Sequence, residues 1–148
     1  MSELQLREVS PESAEYHELL ALRFRELREP LGMIWTEAEM ASDQEDRHFG
    51  LHDGTAWAGV VVACDLGGGE YKLRQIAVCR TRQGQGVGRR LMKRVEDQLG
   101  SDGAKEFQLN ARLTVAGFYE AIGYRPVGET FEEIGIPHIK MRKTVTAG

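Results

Sequence analysis

Three glycines at alternate positions, Gly84, Gly86 and Gly88, constrain this chain more than any other feature of its sequence. Residues 71–78 before them alternate and then become apolar, which predicts a strand. Residues 87–99 after them carry apolar side chains every four positions, which predicts a helix with one buried stripe. The glycines therefore lie between a strand and a helix, where a residue without a Cβ allows a positive φ and lets a ligand approach the backbone.

The helix that follows the glycines gives this turn the means to bind an anion. The first turn of a helix leaves about four N–H groups without intrahelical acceptors and carries a partial positive charge. Arg82, Arg89 and Arg90 add full charges beside it. The glycine spacing differs from that of a dinucleotide-binding turn, and the Gly-Lys-Ser/Thr of a Walker loop is absent. The sequence predicts a phosphate site of another kind, with a purely structural turn as the alternative.

The order of predicted elements indicates a single α/β domain over residues 1–148. Besides the strand and helix around the glycines, patterning predicts strands at 4–9, near 48, at 56–66, 107–111, 124–131 and 138–144, and helices at 13–30, 36–46 and 114–122. An Asp53-Gly54 hairpin turn is expected before the third strand. The helix after the glycines connects two strands as a crossover, so these strands should be parallel within a mixed sheet.

Charge is distributed unevenly along the chain. Its 148 residues include 19 Lys or Arg and 23 Asp or Glu, a net charge of −4. Residues 71–95 nevertheless hold eight basic side chains and no acidic one, so the remainder carries −12. This acidic remainder argues against general binding to nucleic acid or to an anionic membrane. The basic segment is either a local anion site or the solvated face of a helix.

Several classes of protein are disfavoured by what the sequence lacks. Cys64 and Cys79 lie in apolar stretches, so we expect buried reduced thiols rather than a disulfide or a metal pair, and no metal site. The first residues lack the basic and apolar regions of a secretory signal, and no apolar run approaches 18 residues. These observations predict a cytoplasmic protein without a membrane span.

Two motifs occur in register along the chain. In the segment 73–92, Gln83, Gly86 and Gly88 meet the pattern Gln/Arg-x-x-Gly-x-Gly/Ala, and Ala116-Gly-Phe-Tyr-Glu-Ala-Ile-Gly-Tyr follows. They resemble the GNAT superfamily of N-acetyltransferases over about residues 4–143. Leu-Asn-Ala-Arg at 109–112 and Pro-His at 137–138 look like a bacterial branch of mostly unassigned substrate. The resemblance implies the GNAT fold: a mixed, mostly antiparallel sheet of about seven strands, flanked by four helices, with strands four and five splayed apart.

The resemblance also implies acetyl-CoA as cosubstrate, lying in the opening between the splayed strands. The backbone N–H groups from Gln83 to Arg89 would hold its pyrophosphate, and residues 76–78 would pair with its pantetheine arm. Asn110 would hydrogen-bond the pantetheine or line the acceptor side, and Phe118 is either core or a wall against the arm. The cofactor-binding residues implied are Ile76, Ala77, Val78, Arg82, Gln83, Gly84, Gln85, Gly86, Val87, Gly88, Arg89, Asn110, Phe118 and Tyr119.

The implied reaction is direct acetyl transfer to an amine within a ternary complex. Tyr119 matches the family's general acid for the departing thiolate, with a core aromatic residue as the alternative. The N–H of Val78 would stabilise the oxyanion. The base stays open, because Lys72 occupies the position where some members carry a glutamate. The remaining candidates are His48, Glu70, Glu133 and His138, and His138 could instead contact substrate or simply pack at a strand start.

Recognition of the acceptor is expected from the least family-like parts, at 22–35, 67–69 and 131–138. The arginines there and on the fourth strand could bind an acidic acceptor or form a solvated ion-paired face. These are Arg23, Arg25, Arg28 and Arg74. Trp35 and Trp57 could line an acceptor pocket, although Trp57 is expected to pack at a strand edge.

The leading interpretation is an acyltransferase that acetylates a primary amine of a small molecule. The alternatives are a protein or peptide N-acetyltransferase, which would need an open groove, and a non-catalytic acyl-CoA-binding regulatory module. Tyr119 and the intact glycine turn argue against the third. A homodimer through strand edges or the terminal hairpin is compatible with the sequence, which does not itself indicate one.

Overall fold

The structure is a computed structural model that describes residues 3–145, so the ends of the predicted 1–148 domain lie outside the described residues. Within this range the chain forms seven strands and four α-helices. The strands are β1 (Gln5–Val9), β2 (Arg47–His52), β3 (Trp57–Gly67), β4 (Glu70–Val78), β5 (Glu106–Arg112), β6 (Arg125–Glu133) and β7 (Ile136–Thr144). The helices are α1 (Ala14–Leu27), α2 (Glu37–Asp43), α3 (Val87–Ser101) and α4 (Ala116–Ala121).

The strands join one open mixed sheet in the order β1-β2-β3-β4-β5-β7-β6. Neighbouring strands are antiparallel except β4 and β5, which are parallel. The helix α3 connects these two, because parallel neighbours need a long crossover. The predicted α/β class and the mixed, mostly antiparallel sheet are confirmed.

The strands β4 and β5 pair only at their beginnings. Residues 70–72 of β4 pair with residues 106–108 of β5. The two strands then continue to Val78 and Arg112 without further pairing to each other. The predicted splay is thus confirmed, and it leaves backbone N–H and C=O groups of β4 open toward the gap.

Helices cover both faces of the sheet. On one face α3 and α4 pack on the larger core, where Leu91, Val95 and Leu99 form the predicted stripe and are fully buried. On the other face α1 packs on β3 and β4 through a second core around Leu19 and Leu22. Burying a side chain of this size contributes roughly 1.5–3 kcal/mol. Within residues 3–145, no helix combines the length and apolar character needed to cross a membrane.

The first two helices are shorter than the sequence predicts. The helix α1 ends at Leu27, because residues 29–31 form a separate 3-10 turn that closes at Gly32 with a φ of 68°. The helix α2 begins at the predicted N-cap, Thr36, with a complete capping box. The Thr36 hydroxyl accepts from the Glu39 N–H, and the Glu39 carboxylate accepts from the Thr36 N–H. It ends three residues before the expected boundary.

The connection between β2 and β3 is longer than the predicted Asp53-Gly54 turn. The Asp53 carboxylate accepts hydrogen bonds from the N–H groups of Thr55 and Ala56, each at 2.8 Å. The Asp53 N–H donates to the Ala56 carbonyl oxygen at 3.0 Å. These bonds stabilise a four-residue loop, and β3 therefore begins at Trp57.

Candidate active site

A cleft of ≈ 970 Å³ opens where β4 and β5 diverge. Its walls come from the splayed strands, the N-terminus of α3, α4, the end of α1 and the turn between β6 and β7. All the predicted cofactor-binding residues line it except Gln85, whose side-chain amide donates to the Thr81 carbonyl oxygen instead. The topology thus gathers the predicted cofactor-binding residues, which lie up to 43 positions apart from Ile76 to Tyr119, around one opening.

The glycine turn presents an open backbone surface to this cleft. Gly84 and Gly86 adopt φ values of 81° and 78°, and a Cβ on either would meet no atom within 4 Å. Gly88 lies close to the side chain of Phe118, 3.2 Å from its would-be Cβ. The first helical bond here runs from the Arg90 N–H to the Gly86 carbonyl oxygen. The N–H groups of residues 87–89 consequently lack intrahelical acceptors.

Most cations of the basic segment are occupied by the protein itself. Arg82 lines the cleft but forms an ion pair with Asp53. Arg80 pairs with Glu26, Lys93 with Asp97, and Arg94 donates to the Leu4 carbonyl oxygen. Arg89 is exposed on the cleft wall and forms no ion pair within residues 3–145. The positive charge left for an anion near the turn is therefore much smaller than the +8 of the segment.

The open edge of β4 carries the predicted oxyanion donor. The Cys79 N–H donates to the Ala58 carbonyl oxygen of β3 at 2.8 Å. Because consecutive N–H groups of a strand point to opposite edges, the Val78 N–H faces the gap toward β5. Gln75 has a φ of 53° at an irregularity in the β3–β4 ladder, which bends β4 at the point where the strands diverge.

Tyr119 lies on α4 with its ring packed edge-on against Phe118 and Tyr124. Its side chain is buried yet lines the cleft. Burial raises the pKa of its phenol to about 12, and the nearby positive charge of Arg112 opposes part of that rise. The phenol is therefore protonated at neutral pH, which is the form a general acid requires.

A chain of polar contacts links β5 to the hairpin of β6 and β7. The Asn110 side-chain amide donates to one oxygen of Glu133 at 3.3 Å, and the other oxygen lies 3.5 Å from Nε2 of His138. Nδ1 of His138 lies 2.7 Å from the Ile136 carbonyl oxygen. A carbonyl oxygen can only accept, so Nδ1 carries a proton and Nε2 is the atom that can gain one. The ring is buried and stacks on Phe131.

The sequence profile of the acetyltransferase (GNAT) domain matches residues 24–145. This chain belongs to the GNAT family. The resemblance found in its motifs is thereby confirmed, and its relatives include bacterial proteins. Membership of this family supports an acyltransferase.

Sequence relatives match about half of this GNAT chain. It is 37% identical over 76 residues to the uncharacterized N-acetyltransferase YitI of Bacillus subtilis, covering 51% of each chain. It is 36% identical over 72 residues to protein ElaA of Escherichia coli, covering 48% of this chain and 47% of ElaA. The chain thus spans about half the length of the curated relatives it matches.

Solved structures agree with the fold over almost the whole chain. The crystal structure of Escherichia coli ElaA superposes with a TM-score of 0.81 at 21% identity, covering 95% of this chain and 99% of that one. An aminoglycoside 6'-N-acetyltransferase complexed with coenzyme A superposes with a TM-score of 0.78 at 19% identity, covering 97% and 98%. At these identities the likeness shows the GNAT fold.

Two of the predicted base candidates lie away from the cleft. His48 on β2 is fully buried, and its Nε2 lies 2.8 Å from the Asp43 carbonyl oxygen beneath α2. Burial lowers the pKa of His48, so the ring is a neutral core group. Glu70 accepts hydrogen bonds from Gln108 and Arg142 and does not line the cleft. Glu133 and His138 both line it.

The arginines predicted to bind an acidic acceptor are mostly committed to internal ion pairs. Arg23 and Arg74 both contact Asp43, at 2.6 and 3.0 Å. Arg28 pairs with Glu39 at 2.7 Å. These three side chains are ion-paired, but the pairs are buried or partly buried and do not form the solvated face given as the alternative. Exposed Arg25 forms no ion pair within residues 3–145.

The two tryptophans are structural rather than part of the cleft wall. The guanidinium groups of Arg23 and Arg28 lie over the ring of Trp35, 5.0 and 4.8 Å from its centre. Trp57, at the start of β3, is buried in the core under α1 and donates from its indole N–H to Glu18 at 3.0 Å. Neither ring contributes to the cleft lining, so the proposal that they line an acceptor pocket is wrong for this cleft.

Two further expectations change. The glycines at 67–69 form the tight β3–β4 connection, at the end of β4 opposite to the splay, so this loop is remote from the acceptor side. Cys64 and Cys79 are free thiols, as expected, but both are half-buried rather than buried.

The cleft also contains residues that the sequence analysis did not assign to the site. Gln75 and Arg112 line it together with Lys72 and the predicted residues. Arg112 belongs to the family-like Leu-Asn-Ala-Arg segment, which is a sequence signal that could have indicated it. Nothing in the alternation of β4 indicates the positive φ of Gln75, because a strand irregularity leaves no mark on apolar periodicity.

Proposed function

We propose that this GNAT chain is an N-acetyltransferase that moves an acetyl group from acetyl-CoA to a primary amine of a small molecule. The observation that carries the proposal is one cleft, lined by the glycine turn, the open edge of β4 and the buried phenol of Tyr119. The fold of the aminoglycoside 6'-N-acetyltransferase, which was solved with coenzyme A, supports the donor.

The residues present fit acetyl-CoA. The space above Gly84 and Gly86 is open, the N–H groups of residues 87–89 lack helical acceptors, and Arg89 forms no ion pair with another described residue. A helix N-terminus with these properties suits a pyrophosphate. The open backbone edge at 76–78 suits an extended amide-bearing arm. The bound cosubstrate supplies an activated thioester carbonyl and a thiolate leaving group.

The chain's own groups then have distinct tasks. The Val78 N–H is available to donate to an oxygen on which negative charge develops, the kind of contact worth roughly 10²–10³ in rate elsewhere. The Tyr119 phenol holds its proton at neutral pH because of burial and can release it to a thiolate. Phe118, 39% exposed, forms a wall of the cleft rather than core.

His138 is the proton acceptor that the geometry favours. With Nδ1 holding a proton toward the Ile136 carbonyl oxygen, a neutral ring has its lone pair on Nε2. An amine that loses a proton to Nε2 would create an imidazolium beside the Glu133 carboxylate, 3.5 Å away. Asn110 holds the other oxygen of Glu133 in place. Glu133 would thus stabilise the charge that His138 gains.

A small acceptor is favoured over a protein chain. The end of α1, with Glu26 and Leu27, and the β6–β7 turn, with Glu133 and Ile134, border the same cleft from two sides. An extended polypeptide would need a groove that runs open past both walls. A compact amine needs only the space between them.

The test is a panel of amines incubated with acetyl-CoA while coenzyme A thiol release is followed. The panel should include amino acids, polyamines, an aminoglycoside and short peptides with free N-termini. We expect thiol release that depends on a small amine and is matched by an acetylated product. Transfer to peptides alone would favour the protein acetyltransferase, and coenzyme A binding without transfer to any amine would favour the non-catalytic alternative.

A further inference from the structure

The cations on the cleft wall fall into two groups. Arg28, Arg74 and Arg82 each pair with a carboxylate of the protein itself. Lys72, Arg89 and Arg112 line the same cleft and form no ion pair within residues 3–145, and of these Arg89 lies beside the glycine turn. The first group has a structural partner, whereas the second group has a charge available to a ligand.

Lys72 and Arg112 project from the same face of the sheet. Lys72 pairs in register with Gln108, and Arg112 follows Gln108 by four residues, so all three side chains share a face. Arg74, two residues after Lys72, reaches α2 on this face. The glycine turn leads into α3, which packs on the opposite face. The two cations therefore project from the face opposite α3 and the glycine turn.

Both side chains are half-buried. Withdrawing a cation from water is unfavourable unless a counter-charge offsets the loss of hydration. Carboxylates are abundant in this chain, 23 against 19 basic residues, yet among the described residues none forms an ion pair with Lys72 or Arg112. A ligand with negative charge would supply the missing partner.

Two carbonyl oxygens without donors lie along the cleft between these cations. Oε1 of Gln75 and Oδ1 of Asn110 are buried and accept no hydrogen bond within residues 3–145. Gln75 follows Lys72 on β4, and Asn110 precedes Arg112 on β5. A buried carbonyl oxygen left without a donor is costly, and the N–H groups of an amine are suitable donors.

We propose that the acceptor is an anionic small amine, such as an acidic amino acid. Its acidic groups would bind Lys72 and Arg112, and its amino group would donate to the amide oxygens of Gln75 and Asn110. Residues 108 and 112 are about 13 Å apart along the β5 backbone, a spacing that leaves room for two separate acidic groups between the two cations. This inference rests on the proposed acetyltransferase function and narrows its acceptor.

The first experiment compares amines that differ only in charge. Wild-type protein is assayed with acetyl-CoA and the pairs glutamate and glutamine, aspartate and asparagine, and β-alanine and β-alaninamide. We expect the more acidic member of a pair to have a kcat/KM at least about tenfold higher, as for one charge-assisted contact. Preference for the amides, or transfer only to polyamines and aminoglycosides, would overturn the proposal.

Variants then test the two cations directly. Lys72→Gln and Arg112→Gln should each lower the ratio of kcat/KM for the acidic amine to kcat/KM for its amide about tenfold. Lys140→Gln is the matched control, because Lys140 is half-buried, unpaired within residues 3–145 and in register with Asn110, but lies outside the cleft. Equal losses for both amines, or an equal loss in Lys140→Gln, would contradict specific recognition.

A binding measurement tests the proposed acceptor site independently of turnover. With coenzyme A saturating, glutarate should raise the melting temperature of the wild type, whereas glutaramide should not. The Lys72→Gln/Arg112→Gln double variant should lose the glutarate shift and keep the shift caused by coenzyme A. Absence of any glutarate effect would overturn this inference alone, while absence of the coenzyme A effect would count against the proposed donor.

Discussion

The guanidinium of Arg23 on α1 lies 2.6 Å from the carboxylate of Asp43 on α2, with both side chains fully buried. Arg74 of β4 and the hydroxyl of Tyr16 contact the same carboxylate. This cluster fastens the short helix α2 to the sheet beside the cleft. A buried charge that loses its partner is left uncompensated, which is the costly case.

Asp43→Asn should therefore lower the free energy of unfolding by about 3–5 kcal/mol, measured by urea denaturation. Asp97→Asn is the control, because Asp97 pairs with Lys93 on the exposed surface of α3, where ion pairs contribute little. If both variants unfold at the same urea concentration, the buried cluster does not hold the helix as described.

The same carboxylate predicts a pH dependence of stability. Burial opposes its ionisation, yet hydrogen bonds from Arg23 and Tyr16 outweigh burial and hold the pKa of Asp43 below the usual 3.8. The stability that ionised Asp43 contributes is complete above the pKa that this carboxyl has in the unfolded chain. It is lost as the pH falls through the lower pKa of the same carboxyl in the folded protein. Wild-type stability should thus drop below about pH 4. In Asp43→Asn this part of the drop should be missing, as equilibrium unfolding between pH 2 and 7 would reveal.

The glycine turn offers a matched pair of variants. Gly86 and Gly128 share a φ of 78°, and a Cβ on either meets no atom within 4 Å, so alanine should strain both backbones by a similar roughly 1–2 kcal/mol. Only Gly86 lines the cleft. Calorimetric titration should show a weakened affinity for coenzyme A in Gly86→Ala and an unchanged affinity in Gly128→Ala. Equal affinities in the two variants would place the phosphates elsewhere.

His138→Gln should lower turnover, because Nε2 is the ring atom placed to accept a proton. We expect kcat to fall by about 10²-fold, as for the loss of a positioned general base. Glu133→Gln should lower kcat less, because the imidazole remains and only the carboxylate 3.5 Å from Nε2 is lost. An unchanged kcat in His138→Gln would assign the base to another group.

The sequence predicts best where the chemistry is local. The glycine turn, the apolar stripe of α3 and the motif around Tyr119 are each encoded in a short segment of the sequence. The structure brings the glycine turn and Tyr119 to one cleft and buries the stripe in the core. The sequence also places a helix between two predicted strands, which indicates a crossover between parallel strands. The parallel pairing of β4 with β5 confirms this prediction.

The sequence predicts least where partners are distant. Arg23 and Arg74 were candidates for ligand binding, but Asp43, which lies 20 and 31 residues from them, pairs with both. His48 was a candidate base, and only the packed structure shows that it is buried under α2. That Lys72 and Arg112 form no ion pair within residues 3–145 is likewise visible only in the folded chain.

The most direct test of the proposed site compares turnover and binding in Tyr119→Phe, with acetyl-CoA and the best amine from the panel. The phenol hydroxyl is the only group removed, and the ring keeps its packing against Phe118 and Tyr124. We predict that kcat falls by about 10²-fold or more while the affinity for coenzyme A, measured by titration, is unchanged. An unchanged kcat would contradict the assignment of Tyr119 as the acid and, with it, the account of how this cleft performs acetyl transfer.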